Sequence, residues 1–229
     1  MNMNAAHSKL WFLEKINLLK GLNMDEMQEV AGKTTMSSTG KGEYIYFPED
    51  PSKVVFFLKE GRVKLGTYSE EGKELIKTVL YPGEIFGELA VAGQEKRKDF
   101  AVSLDEDVTI CAMKVDDLKE LMTDHPTLNM GVTRTIGERL MKVERKMESL
   151  IFKDARTRII ELIKEMATQY GQKIGEETLL KHKLTHQDIA NLTATSRQTV
   201  TITLNELKEK DLLYMERGKL LIRDISALK

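Results

Sequence analysis

The run 184-LTHQDIANLTATSRQTVTITLNELKEKDLLYMERGKLLIRD-224 holds two short helices and a hairpin, legible from caps and periodicity. Thr185, followed three residues later by Asp188, is a capping box: the hydroxyl and the carboxylate each satisfy a backbone N–H left orphaned at the helix start. Ile189, Ala190 and Leu192 give this first helix its apolar side. After the turn 193-TAT-195, Ser196 is a strong N-cap for a second helix. There Val200, Leu204 and Leu207 recur at steps of four and three and share a buried face, while Arg197, Gln198, Thr201, Ile202 and Asn205 share the opposite one. A helix anchored on one side and offering donors, acceptors and a cation on the other meets the requirements for reading base edges in a DNA major groove. Beyond 207-LKEKDLL-213, the Arg217-Gly218 step between 212-LLYM-215 and 219-KLLIR-223 predicts a β-hairpin wing. The same pattern also suits a small helical domain with a solvated polar face, or a winged helix that contacts protein.

Toward the N-terminus, 154-DARTRIIELIKEMATQYG-171 reads as an amphipathic helix capped by Asp154 and ended by Gly171 in the left-handed conformation. Through 127–152, Leu128, Val132, Ile136, Leu140, Val143, Met147 and Leu150 recur at steps of four and three, a coiled-coil seam, and Pro126 suits the first helical turn. About 24 helical residues extend ~36 Å, too far for a small β domain to cover alone. The seam predicts a homodimer through Val132, Ile136, Leu140, Val143, Met147 and Leu150; an amphipathic helix lying on its own domain is the competing reading. From Gly40 to about Lys114 the runs 43-EYIYF-47, 54-VVFFL-58, 63-VKLGTY-68, 75-LIKTVL-80 and 108-VTICAM-113, punctuated by Gly61, Gly72 and 82-PG-83, predict an all-β barrel or sandwich. In residues 8–32, Leu10, Leu13, Ile16, Leu19, Leu22 and Met27 suggest two short helices broken at Gly21. The expected division is residues 1–126 for the N-terminal helices and β domain, 127–153 for a dimerisation helix and hinge, and 154–229 for the DNA-binding domain.

Composition bounds these readings. With 229 residues, 41% hydrophobic and 31% charged, the chain is globular, and no run approaches the ~18 apolar residues of a membrane span. Residues 151–229 carry 14 Lys+Arg against 11 Asp+Glu, so the charge leans positive toward the C-terminus although the whole chain has a formal net charge of −1. That lean is too small to argue for DNA unless the cations cluster. One cysteine, Cys111, excludes an intrachain disulfide framework and a one-chain iron–sulfur cluster, which needs about four thiolates. Haem would have to use His7, His125, His182 or His186, which show no paired ligand spacing. There is no metal constellation, nucleophile–base pair or phosphate-cradling loop, so an enzyme is not expected. The N-terminal MNMNAAHSKLWFLEKINLLKG does not read as a signal peptide, and a cytoplasmic setting is the expectation.

The motifs 57-FLKEGRVKL-65, 72-GKELIKTVLYPGEIFGELAV-91, 101-AVSLDEDVTI-110 and 185-THQDIANLTATSRQTV-200, in this order, resemble the CRP/FNR family of bacterial transcription regulators. The resemblance implies an α+β fold: an N-terminal double-stranded β-roll of the cyclic-nucleotide-binding jelly-roll kind, a long dimerisation helix and a C-terminal winged helix-turn-helix. It implies base reading by Arg197, Gln198 and Ile202 and backbone contacts by Thr185, His186, Ser196 and Thr199; by position alone Thr201 shares the reading face, and Lys219, in the predicted wing, is expected on a phosphate. Where the family often has Arg, Ile202 can touch a thymine methyl but cannot read guanine. The implied partners are double-stranded DNA with a roughly palindromic site, a second copy of the chain and RNA polymerase, with no membrane.

For an effector, the resemblance points to Gly87, Glu88, Arg97, Lys98, Val143 and Glu144. In the family's cyclic-AMP sensors a Gly-Glu pair faces the ribose, an Arg-Ser or Arg-Thr pair holds the phosphate, and hydroxyls of the dimer helix reach adenine. Gly87 and Glu88 keep the first element. Arg97 is followed by Lys98 and Asp99 where a small hydroxyl and alanine belong, and Val143 and Glu144 stand at the adenine positions. Valine donates no hydrogen bond and an acidic side chain repels a phosphate, so cyclic AMP is not the expected effector, and its identity stays open. The cluster Lys96-Arg97-Lys98 fits another anionic ligand or a solvated basic loop. The competing function is a cyclic-nucleotide receptor, with cyclic AMP or another anion in the roll, that acts through protein contacts.

Overall fold

The computed structural model describes residues 12, 13, 16–19, 21–216 and 218–228. His7, Leu10 and Arg217 lie outside the described residues. The chain forms two compact units: one holds the described residues up to Lys73 together with Lys77–Lys142, the other Glu74–Ile76 together with the described residues from Val143 onward, so that the main division falls within one long helix, after Lys142.

The N-terminal strands β1 (Thr34–Thr39), β2 (Tyr44–Tyr46), β3 (Val54–Glu60), β4 (Val63–Tyr68), β5 (Glu74–Leu80), β6 (Ile85–Phe86), β7 (Phe100–Ser103) and β8 (Val108–Lys114) make two four-stranded sheets. Their orders are β1-β8-β3-β6 and β2-β7-β4-β5. The expected strand runs coincide with β2, β3, β4, β5 and β8, where β-branched and aromatic side chains suit a pleated surface. β3 is apolar without alternation because both of its faces are buried. Val55 and Phe57 pack with Cys111, Met113 and Leu118 on one side, while Leu58 packs with Tyr46, Leu65 and Phe86 on the other. β1 has a single buried side chain, Thr34, and is held by its register along β8 from Thr34↔Met113 to Thr39↔Val108.

The helical elements that accompany the strands are a 3-10 turn (Asn17–Leu19), α1 (Met24–Gly32), α2 (Val115–Asp124) and α3 (Pro126–Phe152), of which α3 belongs to the first unit as far as Lys142. Asn23 and Glu26 form a capping box that starts α1. The 27 residues of α3 extend about 40 Å. One expectation is corrected here. Val132, assigned to the dimer seam, is 2% exposed and sits with Leu128 in the core of its own unit, against which Ile136 also packs. The first turns of α3 therefore serve the protomer. Further along, Leu140, Val143, Met147 and Leu150 are 44–64% exposed.

His125, the residue between α2 and α3, bridges two carboxylates of α1. Its Nδ1 lies 3.1 Å from Glu26 Oε1 and its Nε2 3.3 Å from Glu29 Oε2. Hydrogen bonding to Glu29 and then Glu26 raises its pKa above the usual histidine value. Because the folded-state pKa is the higher one, the stabilising contact is fully present below about pH 6.5 and is lost as pH rises through the raised value. Hydrogen exchange across residues 24–32, corrected for the intrinsic pH effect, should accelerate between weakly acidic and weakly alkaline buffer, and His125→Asn should remove that dependence. An unchanged protection profile in the parental protein would contradict the bridge.

The second unit contains α4 (Ala155–Tyr170), β9 (Gln172–Ile174), β10 (Glu177–Lys181), α5 (His186–Thr193), α6 (Arg197–Glu209), β11 (Leu213–Glu216) and β12 (Lys219–Ile222). The hairpin β11-β12 belongs to an antiparallel sheet of order β11-β12-β10-β9, whose last two strands were not expected. Asp154 caps α4, accepting from Thr157 N at 2.7 Å. The expected left-handed terminator at Gly171 is a second correction. Gly171 is extended, with φ −72° and ψ 141°, and glycine is required for space: a Cβ there would lie 2.2 Å from Ala167 O and 2.4 Å from Thr178 Cγ2. Among the described residues, no helix is long and apolar enough to cross a membrane.

Candidate nucleic-acid interface and effector site

α5 starts where the capping box predicts: Thr185 Oγ1 accepts from Asp188 N at 3.1 Å and Thr185 N donates to Asp188 Oδ2 at 2.8 Å. It ends at Ala194, which adopts the left-handed conformation at φ 50°, unusual for a residue with a Cβ. Ser196 then caps α6, its Oγ accepting from Thr199 N at 3.0 Å. Val200, Thr203, Leu204 and Leu207 are buried, which fixes the roll of α6 about its axis. Arg197, Gln198 and Asn205 are exposed and Ile202 is 50% exposed. The cation, the amide and the aliphatic side chain assigned to base reading thus stand free of the protomer's core.

Thr201 and His186 have a further role. Thr201 Oγ1 lies 2.9 Å from His186 Nδ1 and also donates to Arg197 O at 3.0 Å, so the pair links the first turn of α5 to α6. Lys219 is exposed on the wing, with Nζ 3.7 Å from Glu216 Oε2. An exposed pair of this kind contributes ~0–1 kcal/mol and leaves the ammonium free to exchange partners.

In the roll, Gly87, Glu88 and Arg97 come together. Gly87 has φ 77°, and a Cβ on it would lie 2.7 Å from Arg97 Nη1. Arg97 is 2% exposed, so the solvated-loop reading of Lys96-Arg97-Lys98 fails at its middle residue, while Lys96 pairs with Glu49 at the surface and Lys98 is exposed. The guanidinium donates to Gly87 O at 3.1 Å and to Val54 O, and stacks 4.6 Å from the Tyr46 ring centroid. Burial holds its pKa below the ordinary arginine value and pushes the Tyr46 hydroxyl up. Glu88, also 2% exposed, pairs through Oε1 with Arg139 of α3, which donates to Ile85 O as well. Arg97 Nε and Glu88 Oε2 are buried without a hydrogen-bond partner in the structure. Val143 and Glu144 are exposed on α3. Nothing in the sequence singles out Arg139, one of several charged residues between Arg134 and Lys146. Val132, Ile136 and Arg139, at steps of four and three, share one stripe, and the packing of Val132 and Ile136 in the protomer's core shows which way that stripe faces.

A β-roll followed by a long helix and a winged helix-turn-helix defines a DNA-binding transcription regulator. Residues 37–125 match the family described as "Cyclic nucleotide-binding domain" and residues 157–229 the "Crp-like helix-turn-helix domain". The chain belongs to the CRP/FNR family. It is 27% identical over 188 residues to the CRP-like cAMP-activated global transcriptional regulator of Mycobacterium tuberculosis, covering 82% of this chain and 84% of that one. It is 26% identical over 189 residues to the global nitrogen regulator of Synechocystis, with the same coverages. Among solved structures, a mutant of CooA from Carboxydothermus hydrogenoformans superposes with a TM-score of 0.77 at 27% identity, covering 93% of this chain and 94% of that one. The first of these relatives is named as a transcriptional regulator and the second as a nitrogen regulator, and neither name is that of an enzyme.

Proposed function

We propose that the protein is a homodimeric, sequence-specific regulator that binds a roughly palindromic duplex site in the cytoplasm and acts there on RNA polymerase. The observation that carries this reading is α6: Val200, Thr203, Leu204 and Leu207 anchor one side while Arg197, Gln198 and Ile202 project from the other. Arg197 pairs with a guanine edge, Gln198 with adenine, and Ile202 with a thymine methyl. Thr185, Ser196 and Thr199 lie at helix starts suited to backbone phosphates. The exposed apolar side chains of α3 from Leu140 onward support pairing with a second copy, in which two recognition helices read half-sites about 10 bp apart or a multiple of a helical turn.

Within this proposal cyclic AMP is not the effector. Arg97 is engaged by two backbone carbonyls and Glu88 by Arg139, Lys98 is exposed, and Val143 and Glu144 offer no hydroxyl for adenine. Calorimetric titration with cyclic AMP should give no saturable heat, and tight saturable binding would overturn this part. Titration of random duplex DNA at two salt concentrations tests the DNA part and separates it from a receptor acting through protein contacts. Affinity should fall log-linearly with salt, whereas absence of salt-dependent binding would overturn it.

A further inference from the structure

The guanidinium of Arg158, in the first turn of α4, donates three hydrogen bonds to backbone carbonyls. Nη1 reaches Lys153 O at 2.7 Å, Nε reaches Thr193 O at 2.9 Å and Nη2 reaches Ala194 O at 3.2 Å. The first acceptor lies just past the C-terminus of α3, and the other two end α5 at the helix-turn-helix turn. Carbonyls at helix C-termini lack intrahelical donors and carry the negative end of the helix dipole, so a cation satisfies them twice over. One side chain thus caps two helices that are far apart in sequence.

Arginine is the residue that can do this. Its planar fork directs several donors at once, whereas lysine presents a compact point charge. The turn it holds is also the one that needs holding. Ala194 is left-handed at φ 50° without being glycine, and α6 begins only three residues later at Arg197. A shift of Lys153 relative to α4 pulls on the donor group that fixes the Ala194 carbonyl, and so on the start of the base-reading helix.

We propose that Arg158 is a positioning residue that couples the joint after the long helix to the helix-turn-helix turn, setting the pose in which α6 discriminates between DNA sequences. This rests on the reading of α6 as the base-reading helix. The test uses the full chain and two readouts. Arg158→Lys keeps the charge and stem but not the fork. Its affinity for a duplex selected from a random pool, relative to a scrambled duplex, should fall at least about tenfold with the circular dichroism spectrum unchanged. Ala194→Gly removes the backbone strain, so it should restore any lost thermal stability in the Arg158→Lys background but not the lost discrimination. Comparing Arg158→Lys/Ala194→Gly with Ala194→Gly alone keeps the test valid if the single lysine variant is unstable. Discrimination within twofold of the parental ratio, or its recovery on adding Ala194→Gly, would overturn the proposal and leave Arg158 as a stabiliser of the turn. Hydrogen exchange without DNA is the second readout: amides of 153–157 and 193–196 should lose protection together in Arg158→Lys. Loss in only one segment overturns the coupling even if the DNA reading stands. Loss in both, with a parental protein that shows no discrimination, supports the coupling while overturning the DNA reading.

Discussion

Lysine at Leu140 and Met147 together should leave each protomer folded and abolish its pairing. These side chains are 58% and 57% exposed in the protomer, so the substitution touches none of its core, which on α3 is built from Leu128 and Val132. In a two-helix seam the same positions would be buried. Each loses ~1.5–3 kcal/mol of apolar burial and gains a charge that must be desolvated. The dissociation constant should rise at least about 1000-fold, or roughly 4 kcal/mol, and affinity for a two-half-site duplex should fall by about 100-fold or more as the effective concentration of the second half is lost. Light scattering and a duplex titration measure both. A double variant that remains dimeric, or a parental protein that is monomeric, would refute the seam.

Arg197→Ala should weaken binding to the preferred duplex by about 1–3 kcal/mol, roughly 5- to 150-fold, while changing affinity for scrambled duplex much less. The expectation follows from position. Arg197 is the first residue of α6 and is exposed, and Ser196, rather than Arg197, carries the cap. Lys219→Ala is the control of opposite kind. Its ammonium, shared with Glu216, should weaken all duplexes alike and make the salt slope shallower by about one unit. Equal loss on both duplexes in Arg197→Ala would remove that residue from base reading.

The winged domain's two helices were legible because their signals are local. Thr185 with Asp188, Ser196 with Thr199, and the 200–204–207 stripe act within one or two turns of chain. The long helix was legible for the same reason, but its division of labour was not. Nothing in a regular seam says that Val132 meets its own roll while Leu140 does not; only the packing of the N-terminal residues and α2 against the first turns of α3 decides that. β1 and β9 were invisible because their residues are almost wholly exposed and the backbone pairing that defines them leaves no apolar pattern. Arg97 was hidden by its neighbours. Flanked by Lys96 and Lys98 it looked solvated, yet it is buried against Tyr46 and two carbonyls brought from 43 and 10 residues away. Gly171 was read through backbone conformation, whereas its reason is the approach of Ala167 O and Thr178. Contacts distant in sequence, or steric ones, leave no periodic trace.

Sequencing the duplexes that the parental protein retains from a random pool tests the homodimeric, sequence-specific reading most directly. The expected motif is a palindrome with half-sites about 10 bp apart or a multiple of a helical turn, each with a guanine opposite Arg197 and a thymine where Ile202 packs. A retained pool with no enriched motif, or with a single half-site and no two-fold symmetry, would contradict it.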